Sequence, residues 1–308
     1  MPELHSRDLE SFPRVDEIPE RLDEQHYITT KILGFLIHPN IPSTSPTLKI
    51  ADIGTGTGFW LYDVAKTLSL PPTCQLVGYD ITPSAFPRPE DNDMSANVTF
   101  RTQDMLQPFP ESELGTYDIV AVRFVSSATT RREFAHAVGN LVSLLKPGGW
   151  LQWIDSCNFS LYNTVPGTSR AACQDLYDGL EPFRAKDDDD DDDLVIGLMM
   201  REKGQRVGAN SAKRQDVFRE SGLVEVHEDV FSTDRLQDAS LQIRERGTKN
   251  ILSCFVGSLE DLIARKKETG GWTRERVESL GERAMREVDD GVYHTLDQVC
   301  IIGKKPTR

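Results

Sequence analysis

The chain has 308 residues, enough to bury one full α/β core with room for an additional helical subdomain, and its lack of any run of 18 apolar residues gives no membrane-spanning helix to expect. The net charge is −14, half of it from the aspartate run 187–193, and no basic stripe accompanies it, which argues against nucleic acid as a partner and for a small-molecule substrate. Five cysteines (74, 157, 173, 254 and 300) form no C-x-x-C pair, which argues against a disulfide framework or a zinc site, and no metal is expected.

Residues 1–12 are polar and mixed in charge, unlike a secretory or organellar leader, and with the unpaired cysteines they set the expectation of a cytoplasmic protein. Residues 1–20, with three prolines, read as an exposed arm. Residues 21–38 read as an amphipathic helix turning Leu22, Tyr27, Ile32, Phe35 and Leu36 towards a core, and 40–46 as a loop. Residues 48–53 read as a short buried parallel strand. Gly54, Gly56 and Gly58 then turn the chain, and 59–68 resume as a helix. Strand, glycine turn and helix together let backbone approach a ligand closely, because glycine has no Cβ and tolerates φ > 0.

A dinucleotide fingerprint, G-x-G-x-x-G, needs a small residue at position 59, where this chain has Phe59. Its third glycine comes one residue early, and Asp52 stands on the strand two residues before the first. A second strand at 75–81 carries Asp80 about 20 residues past the glycines, the place for an acid that accepts from ribose hydroxyls. A loop at 83–93 leads to a third strand at 98–103, directly followed by Asp104 and Met105. A fourth strand spans 117–123 and ends in Arg123. A helix at 131–145 follows, then a tight turn at 146–149 and a fifth strand at 150–155 ending in Asp155. Asp52, Asp80, Asp104 and Asp155 all fall at strand carboxyl ends and would line one crevice.

Beyond the fifth strand the alternation breaks. Residues 158–169 read as a loop and 170–183 as a helix. The aspartate run 187–193 reads as a solvated loop; it lacks the spaced ligands, glycine and terminal glutamate of a calcium loop. A helix ends near 221, a strand spans 224–232, 235–267 is mostly helical, 273–288 is a well-patterned helix, and a last strand falls within 294–303.

Asp52-Ile-Gly-Thr-Gly-Thr-Gly-Phe-Trp resembles motif I of class I S-adenosylmethionine-dependent methyltransferases, in the form found in fungal small-molecule (secondary-metabolite) enzymes. Tyr117–Arg123 resembles that group's motif IV, Leu144-Leu-Lys-Pro-Gly-Gly-Trp-Leu-Gln its turn into the fifth strand, and Arg21-Leu22 with Gln25-His26 its cofactor-covering N-terminal helix. The resemblance implies a Rossmann-like α/β fold with a seven-stranded sheet, order 3-2-1-4-5-7-6, strand 7 antiparallel. It implies an N-terminal helical lid over 1–45, a methyltransferase domain over 46–308, and helical insertions at about 156–215 and 235–270.

It also implies S-adenosyl-L-methionine as cofactor and methyl transfer to an O, S or N nucleophile of a small molecule. Gly54, Gly56 and Gly58 would admit the methionine portion and ribose, Asp80 would hold the ribose hydroxyls, and Ile81 would lie on the adenine. Asp104 would accept from the adenine amino group, with Met105 beside the ring. Asp52 would orient the turn or meet the cofactor's amino group, and Arg123 would pair with its carboxylate or with Asp52. His26, Tyr27, His136 and Asp155 are candidate general bases, with His26 first. His227 and His294 read as structural. Cys157 and Asn158 stand where acceptors bind, and Phe124, Trp153, Phe159 and Tyr162 are candidate apolar walls. Three alternatives stay open here: a Rossmann NAD-dependent oxidoreductase, a regulatory protein that keeps the cofactor pocket but acts through partners, and an enzyme that uses the sulfonium only electrostatically. The oligomeric state is not readable.

Overall fold

The computed structural model describes residues 18–87, 97–125, 131–179, 207–235, 240–265 and 271–307. The expected arm over residues 1–17 and the aspartate run 187–193 lie outside the described residues.

Seven strands form one sheet in the order β3-β2-β1-β4-β5-β7-β6, as the resemblance implies. They are β1 (Lys49–Ile53), β2 (Gln75–Asp80), β3 (Val98–Thr102), β4 (Tyr117–Arg123), β5 (Leu145–Asn163), β6 (Val224–Ser232) and β7 (Val292–Lys304). β1 to β5 pair in parallel, whereas β7 lies antiparallel between β5 and β6. β1 is covered on both faces, as a central parallel strand must be, and its last four residues are all buried. On one face Val120, Val122, Leu151 and Trp153 pack against α3 (Arg131–Leu144) and α5 (Val207–Glu220) through Phe134, Leu141 and Phe218. On the other, Ile50, Ile119, Ala121 and Ile154 pack against α2 (Phe59–Thr67) and the chain just after α1 (Ile18–Leu33).

α1 starts three residues earlier than the sequence reading and stops five residues sooner. Gly34 takes φ +81° and ends it, so Leu36 and Ile37 join the core from outside the helix. Gln152 of β5 holds that exit, accepting from the His38 N–H (2.7 Å) and donating to the Leu36 carbonyl (3.0 Å).

The expected turn at 146–149 is drawn into the sheet, because Gly148 N–H donates to the Lys305 carbonyl and Lys305 N–H to the Gly149 carbonyl. The expected loop at 158–169 is a larger departure. β5 runs on to Asn163, paired with β7 down to Asn163↔Val292, after a register shift between Ser156 and Asn158. The two strands thereby extend beyond the carboxyl edge of the sheet as a two-stranded arm. α4 (Ala171–Gly179), α6 (Ser240–Arg265) and α7 (Arg274–Asp289) pack on its end around Leu176, Leu252, Phe255, Leu280 and Ala284. α7 buries Val277, Leu280, Gly281, Ala284 and Val288 at helical spacing, and the Thr273 side chain caps its start by accepting from Arg276 N–H. Glu287 of α7 caps α4 in turn, accepting from the N–H groups of Ala172 and Cys173.

Candidate active site

The glycine turn leaves β1 at the sheet's carboxyl edge. Gly54, Gly56 and Gly58 all have positive φ (68°, 53° and 71°), a conformation side chains resist. Space is short as well: a Cβ on Gly54 would sit 2.5 Å from Val125 Cγ1, and one on Gly58 2.4 Å from the Phe100 ring. Gly58 then starts α2 with no side-chain cap.

Side chains fix this turn from three directions. Thr55 Oγ1 donates to Asp52 Oδ2 (2.8 Å) below it. Asp80, at the end of β2, accepts from Gly56 N–H (2.9 Å) and Thr82 N–H (3.0 Å), tying the loops after β1 and β2 together. Thr57 Oγ1 donates to Asp23 Oδ1 on α1 (2.8 Å). Gly78 on β2 makes the packing possible, since a Cβ there would lie 2.8 Å from Thr55 Cγ2. Thr55, Thr57, Asp23 and Gly78 were missed in the sequence. The threonines lie inside the motif and were readable as turn-fixing hydroxyls; the other two act through contacts no local pattern announces.

Asp104 follows β3 and accepts from Leu106 N–H through Oδ1 (2.9 Å), an Asx-type turn that sets the loop carrying Met105. Met105 is partly buried against the core, and its carbonyl accepts from Asn140. Ile81 is 65 % exposed beside Asp80, and Phe59 is 41 % exposed at the start of α2.

Asp52 and Arg123 form the buried electrostatic centre of the crevice. Arg123 Nη2 lies 3.8 Å from Asp52 Oδ2, an ion pair too long for a hydrogen bond. Asp52 Oδ1 and Arg123 Nε are buried with no hydrogen-bond partner. Burial pushes the Asp52 carboxyl above its ordinary value, with the Arg123 charge and the Thr55 hydroxyl opposing. Burial likewise lowers Arg123, with Asp52 opposing. Desolvation outweighs attraction on both partners, as a long, under-bonded pair should show.

His26 of α1 completes the centre from above. Arg123 Nη1 donates to His26 Nδ1 (3.1 Å), and His26 Nε2 lies 2.9 Å from Asp63 Oδ2 on α2. A guanidinium has only donors, so Nδ1 must accept and Nε2 must carry the proton. Burial lowers the His26 pKa, with the Asp63 hydrogen bond opposing. The neutral ring therefore has both nitrogens engaged and no lone pair free for an acceptor's proton.

The other candidate bases scatter. His136 is exposed and bonds the Leu106 carbonyl, while Asp155 is buried with its Oδ1 accepting from Ser156 N–H. Tyr27 carries the Arg246 guanidinium 4.4 Å from its ring centroid. Trp153, expected as a possible pocket wall, is fully buried on the opposite face of the sheet, edge-on to Phe134 at 4.8 Å; the strand's alternation turns it away from the crevice. Tyr162 stacks on Tyr293 along the arm, and Phe124 sits at the crevice with φ +55°. The side chains of residues 157–160 lie outside the description. Among the described residues, no group of three or more potential ligands could hold a metal ion, and no helix is long and apolar enough to cross a membrane.

Comparison with known proteins places the same region within a known lineage. Residues 51–151 match the family described as a methyltransferase domain. A methyltransferase of a Penicillium species is 29 % identical over 300 residues, covering 94 % of each chain. An N-methyltransferase of Claviceps purpurea is 38 % identical over 213 residues, covering 68 % of this chain and 67 % of its own. In fold, the chain resembles one in the solved complex between the Haloferax volcanii Trm112 methyltransferase activator and a methyltransferase, with a TM-score of 0.50, 15 % identity and 94 % of each chain covered.

Proposed function

The chain belongs to the class I S-adenosylmethionine-dependent methyltransferases, in the fungal small-molecule group, and we propose that its acceptor atom is a nitrogen of a secondary metabolite. It is an enzyme of small-molecule methylation; the choice of nitrogen rests on its similarity to the Claviceps purpurea N-methyltransferase.

The observation that carries the site assignment is the coupling of Gly56 to Asp80 at the sheet's carboxyl edge. One carboxylate holds two loops by backbone N–H groups, next to three left-handed glycines and an exposed isoleucine. These residues fit an adenosine-bearing ligand. In this reading Asp80 receives the ribose hydroxyls, Ile81 and Met105 flank the adenine, and Asp104 accepts from the adenine amino group. The amino-acid end meets Asp52 and Arg123. A buried carboxylate and guanidinium, each with an unsatisfied atom, are complementary to an ammonium and a carboxylate on one ligand.

When bound, S-adenosylmethionine supplies a methyl group already activated on a sulfonium sulfur. The protein's work is then alignment and exclusion of water. A neutral amine acceptor has its lone pair available, so no base need act before transfer. His26 in this reading does not take the acceptor proton. α1 is the lid, within residues 1–45, and is joined to the glycine turn by Asp23 and to α6 by the Glu24–Arg246 ion pair. In this reading the domain over 46–308 carries helical additions beyond the sheet, α4 and α6 among them. A reducing, cytoplasmic setting belongs to the same proposal and follows only from the spacing of the five cysteines without a C-x-x-C pair.

The test is transfer of labelled methyl from S-adenosylmethionine to a panel of small amines, phenols and thiols. Label in amine products supports the proposal. Label confined to phenols or thiols overturns the choice of nitrogen.

A further inference from the structure

We propose that Asp63, on the outer turn of α2, is a positioning residue for cofactor binding: through His26 it aims the Arg123 guanidinium at the cofactor's carboxylate. The inference rests on the reading of Arg123 as that carboxylate's partner.

The three side chains come from three elements and meet in a line. Asp63 Oδ2 lies 2.9 Å from His26 Nε2, and His26 Nδ1 lies 3.1 Å from Arg123 Nη1. Asp63 is itself held, since Thr67 Oγ1 donates to its Oδ1 (2.9 Å). His26 is nearly enclosed, at 5 % exposure, with the Phe59 ring 5.1 Å away and Thr30 on its own helix. Asp63 from α2 and Arg123 from β4 are the charged groups that face it among the described residues. Arg123 has further anchoring below, with its guanidinium 5.3 Å from the Trp60 ring centroid and Asp52 beyond.

The chemistry runs one way. An ionised carboxylate can only accept, so Asp63 places the imidazole proton on Nε2. That leaves the Nδ1 lone pair facing Arg123 and fixes one of the guanidinium's donors. The remaining donors, Nε among them, then point where the fork is set. An amide at position 63 could donate to Nε2 instead. It would allow the other tautomer, with an Nδ1–H facing the guanidinium N–H groups, and the aim would be lost. The loss of tautomer control when a carboxylate behind a histidine becomes an amide is a general result. Protonating His26 has the same effect, since Nδ1–H and Arg123 would then meet donor to donor and charge to charge. Burial keeps that from happening near neutrality.

Two ligands separate aiming from mere support. S-adenosylhomocysteine carries the amino-acid carboxylate, whereas methylthioadenosine has the same nucleoside without it. We expect D63N to weaken S-adenosylhomocysteine about tenfold, the size of one charge-assisted hydrogen bond, while methylthioadenosine changes less than about twofold. H26Q, which keeps one acceptor and one donor in similar places, should retain the affinity that H26L loses. In the wild type, affinity for S-adenosylhomocysteine should fall as the pH drops below 6.5, and in H26Q it should stay flat. Nitrogen-15 shifts of His26 should report the Nε2–H tautomer in the wild type and a mixture in D63N. Equal weakening of both ligands by D63N would reduce Asp63 to a structural role and overturn the proposal, as would unchanged binding of S-adenosylhomocysteine. A wild type that binds neither ligand would count against the cofactor site itself.

Discussion

The two ends of the crevice are organised by different means. At the β1–β2 end, polar groups are held mostly by backbone: Asp80 by two N–H groups, Asp104 by one, and the glycines by their own torsions. At the β5–β7 end, polar groups are held by side chains far apart in sequence. Gln298 donates to Thr29 of α1 (3.2 Å), Asn250 to the Arg21 carbonyl, and His294 N–H to Thr248 Oγ1. Local backbone bonds survive changes elsewhere in the chain, whereas long-range side-chain contacts change with each substitution. The first arrangement suits a constant cofactor. The second suits, in the proposed reading, the acceptor side.

Three substitutions or conditions test this division, from the largest expected effect to the smallest. The first lies at the β6 edge of the sheet, remote from the glycine turn. Arg214 of α5 pairs with Glu228 of β6 through two hydrogen bonds, both side chains 2 % exposed. Glu228→Gln removes the negative charge that faces this buried guanidinium and should cost about 3–5 kcal/mol in urea unfolding, the range for breaking a buried ion pair. Affinity for S-adenosylhomocysteine, measured where the variant is folded, should stay within about twofold, inside the scatter expected of independent sites.

The second concerns acid. His294, buried on β7, has its pKa lowered by burial from 6.5 to about 4. The unfolded chain binds this proton first, so stability is full above 6.5 and falls as pH drops towards 4. The loss should approach about 3 kcal/mol, and it should be absent in His294→Phe, where the unfolding free energy against pH flattens over that window. The third is the smallest. Ile81→Ala removes an exposed side chain, so the unfolding midpoint should barely move, while affinity for S-adenosylhomocysteine should fall about fivefold for roughly 1 kcal/mol of apolar contact.

The same division explains which parts were legible in the sequence. β1, the glycine turn and α2 follow from a dozen consecutive residues, and β2, β3 and β4 were bounded to within a residue or so. Their periodicity and punctuation are local. The arm was not legible, because residues 158–163 become strand only by pairing with 292–297, more than 120 residues later. Neither segment has an alternation strong enough to announce that partner. Gly34 was a readable stop signal inside a pattern that otherwise ran on to His38. The site divides likewise. Asp52, Asp80, Asp104, Arg123 and the glycines were singled out because they punctuate strand ends, and the structure gathers them at one edge of the sheet. His26 was found as an attractive base, but its partners Asp63 and Arg123 come from other elements, and only the assembled structure shows both ring nitrogens engaged. Trp153 read as a possible wall because an aromatic near a strand end carries no sign of which face it takes until the register is known.

The central claim is that Asp80 organises the cofactor end, and the most direct measurement is a calorimetric titration of S-adenosylhomocysteine into the wild type and Asp80→Ala. Removing a carboxylate that meets two backbone N–H groups and, in the proposed reading, the ribose should weaken binding by about ten- to a hundredfold, the range for hydrogen bonds to a charged group, with the variant still folded. Equal affinity in the two proteins would contradict the account, because the cofactor would then be bound without the residue that joins the loops after β1 and β2.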